Sequence, residues 1–128
     1  MNEQIGVLAG WLGFAGGALS GAVIGVRFHE DGWAGGYSSF RRRLLRLGHI
    51  AFFGIGLLNI ALAYSVTVLA LPSSIVFVAV TAMVVAGIGM PLTCFLTAWR
   101  KPFRHLFPIP VAAVMISAGL VLAGWAMS

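Results

Sequence analysis

The chain has 128 residues, of which 60% are hydrophobic and 9% are charged, and its formal net charge is +5. Soluble domains carry about 25% charged residues, so this chain lacks the polar side chains that would cover a globule in water. High hydrophobicity with little charge also excludes intrinsic disorder, and we expect one domain, residues 1–128, whose solvent is lipid.

Long uncharged apolar stretches dominate the chain. The stretch from Leu47 to Trp99 has no Asp, Glu, Lys or Arg, and as one helix it would be more than twice a ~30 Å hydrocarbon core. Pro72 and the two serines after it form the turn signal that divides this stretch. The apolar runs are continuous and do not alternate as barrel strands do. They predict an all-α integral membrane protein with four transmembrane helices in an antiparallel up-down bundle, at about residues 5–26, 49–71, 75–99 and 106–125.

The first predicted helix carries glycines at a strict spacing of four: Gly13, Gly17, Gly21 and Gly25. A glycine row lets another backbone approach closely, and in lipid such packing replaces the hydrophobic drive for helix association. Two interpretations are open at this point. The row packs inside the chain's own bundle, or it contacts a second copy or another subunit.

A basic segment follows the first helix. Glycine-containing turns are predicted between Phe28 and Tyr37, and Ser38 and Ser39 are expected to cap a helix that begins near Phe40. This amphipathic lead-in, from about residue 40, should lie at the lipid headgroups and continue into the second helix. Its arginines are predicted to contact anionic headgroups, each contributing about 1 kcal/mol: Arg41, Arg42, Arg43 and Arg46.

The distribution of basic residues predicts the topology. All eight lie in the two loops that an up-down bundle places on one side, and the other side has no Lys or Arg. Small size and simple topology favour a multi-pass protein of a bacterial-type inner (plasma) membrane. The charge asymmetry predicts that the basic loops lie in the cytoplasm and both termini on the non-cytoplasmic side. Because membrane lipids are the nearest partners for these charges, binding to nucleic acid is not expected.

The predicted membrane interior contains no ionisable side chain of Asp, Glu, Lys or Arg, which argues against a proton-coupled or cation-coupled transporter. Asn59 is the most polar residue near the middle of the bilayer, and we expect its amide to hydrogen-bond to another helix. A pore or a small-solute carrier has only Asn59 and scattered hydroxyls in its favour.

Histidines beside the basic loops suggest a cofactor. His49 and His105 lie at similar depth on helices expected to be diagonal, so they have the residue type and position to ligate one b-type haem near the cytoplasmic face. Gly56, about two turns below His49, would leave room for a flat ring. Arg46 and Arg104 are among the candidate partners for the propionates.

Motifs for other chemistry are absent from the sequence. There is no nucleophilic triad, phosphate loop or dinucleotide fingerprint, so no catalytic residue is nominated and an enzyme is not expected. His29 with Glu30 and Asp31 lacks the spacing of a structural zinc site, and no metal is predicted.

The sequence therefore favours two functions of different classes. The first is a small non-catalytic membrane subunit or scaffold, in a homo-oligomer or a larger membrane complex, that associates through the glycine row. The alternative is a haem-binding membrane protein with His49 and His105 as axial ligands.

Overall fold

A computed structural model describes residues 2–127. It contains two short 3-10 helices, Trp33–Gly35 and Lys101–Leu106, in the connections between longer helices. All regular structure in the described residues is helical, and four helices are long and apolar enough to cross a membrane. The predicted fold class is therefore confirmed. The helices are α1 Asn2–Arg27, α2 Phe40–Val68, α3 Ser73–Trp99 and α4 Pro108–Met127.

Contacts along the helices show that successive helices run antiparallel. Gly6 at the start of α1 lies against Ala63 near the end of α2, whereas Gly21 lies against His49 near the start of α2. Gly48 near the start of α2 lies against Phe95 near the end of α3, so the connection from α1 to α2 lies at the same end as the connection from α3 to α4. We term it the basic end, because all eight Lys and Arg residues fall within residues 27–46 or 100–104.

α3 is the central helix of the bundle. It packs on α1, α2 and α4, whereas α2 and α4 barely meet. Its small or flexible side chains at Ala79, Met83 and Ala86 form the middle of the buried hydrophobic cluster. The outer helices α1 and α4 consequently direct most of their apolar surface away from the chain, with Leu19 69% exposed and Met115 67% exposed.

The start of α2 agrees with the sequence prediction. The Ser39 Oγ accepts a hydrogen bond from the backbone N–H of Arg42 at 3.1 Å and donates one to the carbonyl oxygen of Ala34 at 2.7 Å. The predicted serine cap is confirmed, because this side-chain oxygen satisfies one of the N–H groups that the first turn leaves without an intrahelical partner. The predicted lead-in and second span form one continuous helix.

The end of α2 has a Schellman-type cap with an alanine at the position that glycine usually occupies. The Leu71 N–H donates to the carbonyl oxygen of Val66 at 3.3 Å, and the Ala70 N–H donates to that of Thr67 at 3.4 Å. Ala70 has φ of 47°, the left-handed conformation that L-residues other than glycine adopt at a cost. Pro72 then precedes α3, and no serine side chain caps that helix.

Candidate functional site

Three of the four glycines in the row of α1 are covered by α2. For three of its members, an added Cβ would lie 2.5–2.9 Å from an atom of α2, closer than real Cβ contacts: Gly13, Gly17 and Gly21. Gly25, at the end of the row, has open space around it. These contacts agree with the first interpretation of the row, in which it packs inside the chain's own bundle. A second copy would have to displace α2 to reach these glycines.

A neighbouring face of α1 carries a second row of small residues. We term it the alanine stripe and define it as Ala15, Ala18, Ala22 and Gly25. The alternating spacing of three and four keeps these residues on one side of a helix, as in a coiled-coil seam. All four are exposed in the described chain. Sequence reasoning missed the stripe because alanine is common in any apolar helix, and only the burial pattern separates it from the covered glycines.

Arg42 is buried, which corrects the prediction that it contacts lipid headgroups. Its side chain is 2% exposed. Nη2 donates to the carbonyl oxygen of Phe28 at 2.6 Å, and Nη1 lies 3.5 Å from that of Glu30. The guanidinium carbon also lies 4.4 Å from the centre of the Phe28 ring, with the Tyr37 ring at 5.4 Å and the Trp33 ring at 5.6 Å. Arg42 therefore holds the connection between α1 and α2 against the start of α2.

The other arginines of this segment lie nearer the surface. Arg41 and Arg43 are exposed at the basic end, where contact with headgroups remains a prediction. Arg46 is partly buried, and its guanidinium carbon lies 4.8 Å from the centre of the Tyr37 ring. Two of the four arginines predicted to contact headgroups, Arg42 and Arg46, thus contact aromatic rings of the connection.

The two predicted haem ligands lie in different surroundings. The His49 ring occupies the seam between α1 and α2, with Nδ1 3.2 Å from Ser20 Oγ, and it meets the Phe53 ring edge-on at a centroid distance of 5.4 Å. His105 is exposed on the 3-10 helix that precedes α4. No described contact brings His49 and His105 together.

The space expected for a haem ring is also filled. A Cβ added at Gly56 would lie 3.0 Å from the carbonyl oxygen of Gly10, because α1 packs directly over this glycine. The candidate propionate partners are separated as well, since Arg46 contacts Tyr37 whereas Arg104 is exposed on the other connection. Gly56 thus serves the contact between α1 and α2, and a planar cofactor would have to displace α1.

Asn59 is a polar residue buried between α2 and α3. It is 1% exposed, and Nδ2 donates to the carbonyl oxygen of Ile55 on its own helix at 3.0 Å and to that of Met83 on α3 at 3.3 Å. The second bond joins α2 to α3, which is the kind of bond that the sequence analysis expects. Oδ1 is buried and has no hydrogen-bond partner among the described residues.

A cavity of about 360 Å³ lies beside Asn59, between α1, α2 and α3. Among the described residues that line it, Asn59 has the only polar side chain, and the others are apolar or glycine. Gly13, Gly56 and Gly87 are among its lining residues, and each of them also packs against a neighbouring helix. Sequence reasoning identified Asn59 but had no signal for the cavity, which depends on how three helices cross.

The rest of the described chain offers no built reactive centre. Within residues 2–127, no group of three or more His, Cys, Asp or Glu side chains is placed to hold a metal ion. Comparison of the chain with protein-family models, with curated proteins and with solved structures found no match. The functional assignment therefore depends on the geometry of the bundle.

Proposed function

We propose that the protein is a small non-catalytic subunit or scaffold of an assembly in the inner (plasma) membrane, and that it contacts its partner through the alanine stripe of α1. The observation that carries this proposal is the exposure of all four stripe residues at coiled-coil spacing. Small residues allow a second helix to approach closely, and such packing is one of the driving forces for helix association in lipid. The partner surface thus lies beside the glycine row, which α2 already covers.

The distribution of charge supports an orientation with the basic end in the cytoplasm. All eight Lys and Arg residues lie at that end, in agreement with the positive-inside rule. Arg41, Arg43 and Arg104 are exposed there, and we expect them to contact anionic headgroups. Both termini then lie on the non-cytoplasmic side.

Crosslinking through introduced cysteines tests the proposed surface. Ala18→Cys and Ala22→Cys in native membranes should give crosslinked species under mild oxidation or with a short bifunctional reagent. Val23→Cys is the matched control, because Val23 is 61% exposed but lies about a third of a turn away from the stripe. The native Cys94 does not compete, since it is fully buried.

Substitution by a larger residue gives the complementary measurement. Ala22→Leu should weaken the association seen by native mass measurement in detergent, whereas Val23→Leu should leave it unchanged. A partner of the same chain gives twice the subunit mass, and a different partner gives a new mass. A particle that is strictly monomeric in native membranes, without stripe-specific crosslinks, would contradict the proposal.

A further inference from the structure

A separate cavity lies at the basic end of the bundle, between the two connections. It has a volume of about 390 Å³, and we term it the basic cavity. Its wall comes from the first 3-10 helix, the first turn of α2, the last turn of α3 and the start of the second 3-10 helix. Four segments that are distant in the sequence thus form one concave surface.

The charged side chains that line the basic cavity are both positive: Arg41 of α2 and Lys101 of the second 3-10 helix. The Lys101 Nζ lies 5.8 Å from the centre of the Phe40 ring, which places the ammonium beside the start of α2. Neither Glu30 nor Asp31, the two carboxylates of the basic end, is among the described lining residues. No carboxylate among the described residues pairs with Arg41 or Lys101, so the cavity keeps an unneutralised positive charge.

The hydroxyl groups of the basic cavity are already engaged as donors. Ser39 Oγ donates to the carbonyl oxygen of Ala34 at 2.7 Å, and Thr97 Oγ1 donates to that of Thr93 at 2.7 Å. The hydrogen-bond donors left for a ligand are therefore those of the two cationic side chains, which favours an anion over a neutral molecule. The N-terminal turn of α2 borders the same cavity, and its dipole acts in the same direction.

Aromatic side chains at the rim indicate the depth of the basic cavity in the membrane. Trp99, the last residue of the apolar helix α3, is 65% exposed, and Phe40 is 43% exposed. The guanidinium carbon of Arg100 lies 4.8 Å from the centre of the Trp99 ring. Tryptophan beside a basic residue at the end of a membrane-spanning helix is typical of the interface with the headgroups. The nearest phosphate groups are therefore those of phospholipids.

We propose that the basic cavity binds one phosphate group between Arg41 and Lys101, and that an anionic phospholipid supplies it. A phosphate monoester carries about 1.5 to 2 negative charges near neutral pH, so it matches two cations better than a singly charged diester does. Phosphatidic acid should therefore bind more tightly than phosphatidylglycerol, and zwitterionic phosphatidylcholine should bind least. The proposal deepens the expected headgroup contact and rests on the proposed placement in a membrane, but no residue of the alanine stripe lines the cavity.

Native mass spectrometry of the full chain in micelles of a non-ionic detergent, titrated with lipid, tests the proposal. Micelles without charge have little surface potential, so general attraction between the basic end and a charged surface contributes little. Phosphatidic acid should saturate at one retained molecule per chain. It should bind several-fold more tightly than phosphatidylglycerol with the same acyl chains.

Charge-removing variants locate the site. Arg41→Gln and Lys101→Gln should each weaken the binding of phosphatidic acid about tenfold, the factor expected for one charge-assisted hydrogen bond. Arg43→Gln and Arg104→Gln are the matched controls, because they remove the same charge from exposed residues of the basic end that do not line the cavity. The controls should change the affinity by no more than about twofold. Lys101→Arg should keep most of the affinity, which separates a loss of charge from a loss of fold.

Competition with glycerol 3-phosphate distinguishes the two sources of a phosphate group. Phosphatidic acid that stays bound at millimolar competitor supports the lipid source, whereas its displacement supports the phosphate site but assigns it to a water-soluble ester. Equal binding of phosphatidic acid and phosphatidylcholine, or retention of several molecules without saturation at one, would overturn the proposal. Equal losses of affinity in Arg41→Gln and Arg43→Gln would do the same. These measurements count lipids per chain, so they are valid whether or not the alanine stripe contacts a partner.

Discussion

Replacement of Arg42 by alanine should release the connection between α1 and α2 from the start of α2. The 2.6 Å bond to the Phe28 carbonyl is a charge-assisted hydrogen bond, which contributes roughly 1.5–3 kcal/mol, and the contact with the Phe28 ring contributes about 0.5–2 kcal/mol. The buried Nε has no partner, which offsets roughly 1–3 kcal/mol of this gain. The net contribution is therefore about 1.5 kcal/mol, which corresponds to a roughly tenfold change in the opening equilibrium.

Hydrogen exchange on the full chain in nanodiscs measures this opening directly. The useful probes are the amides of Gly36 and Ser39, which donate to the carbonyl oxygens of Trp33 and Gly36 inside the connection. In Arg42→Ala they should exchange roughly tenfold faster than in the wild type. Arg42→Lys should fall between the two, because an ammonium keeps the charge but not the planar fork of donors.

Arg43→Ala is the control for Arg42→Ala. Arg43 is the next residue on the same helix and is exposed, so its loss should change exchange in the connection little. If Arg42→Ala and Arg43→Ala give the same exchange rates at Gly36 and Ser39, the buried guanidinium does not hold the connection and the reasoning is refuted.

Further predictions concern the helix contacts and the histidines. Ala70→Gly should raise the free energy of unfolding by about 0.5–1 kcal/mol, because glycine relieves the positive φ, whereas Ala61→Gly inside α2 should lower it by about 1 kcal/mol in the same detergent. Gly21→Ala should destabilise the bundle by about 1–3 kcal/mol, since its Cβ would lie 2.5 Å from His49 Cε1, and Gly25→Ala, with open space, should not; equal melting temperatures would contradict the packing. Protein produced with ample haem should show no Soret band that depends on His49, because α1 fills the required space; a band lost in His49→Ala would refute this.

The helices and their order follow from local pattern. Four apolar runs of membrane-spanning length, separated by charged or proline-containing segments, leave little freedom in the placement of the helices. The cap at Ser39 was also predictable, since serine before an amphipathic run satisfies the N–H groups of the first helical turn. Asn59 could be identified because a polar amide inside an otherwise apolar run requires a hydrogen-bond partner.

The residue pattern did not predict which faces of the helices pack against each other. The glycine row and the alanine stripe are both rows of small residues on α1. Nothing in the residue pattern indicates that α2 packs on the first row and leaves the second exposed. Arg42 has the same local pattern as Arg41 and Arg43, yet it alone is buried, because the connection folds back over one side of α2.

The sequence by itself thus determined the all-α class, the four apolar helices and the collection of all basic residues at one end. These features depend on the composition of each segment and on its length relative to a bilayer. Only the tertiary structure decided that the glycine row is internal, that Arg42 is an anchor and that a cavity lies beside Asn59. The physical reason is that contacts between helices depend on their rotation and crossing, which are set by packing among distant residues and not by any single segment.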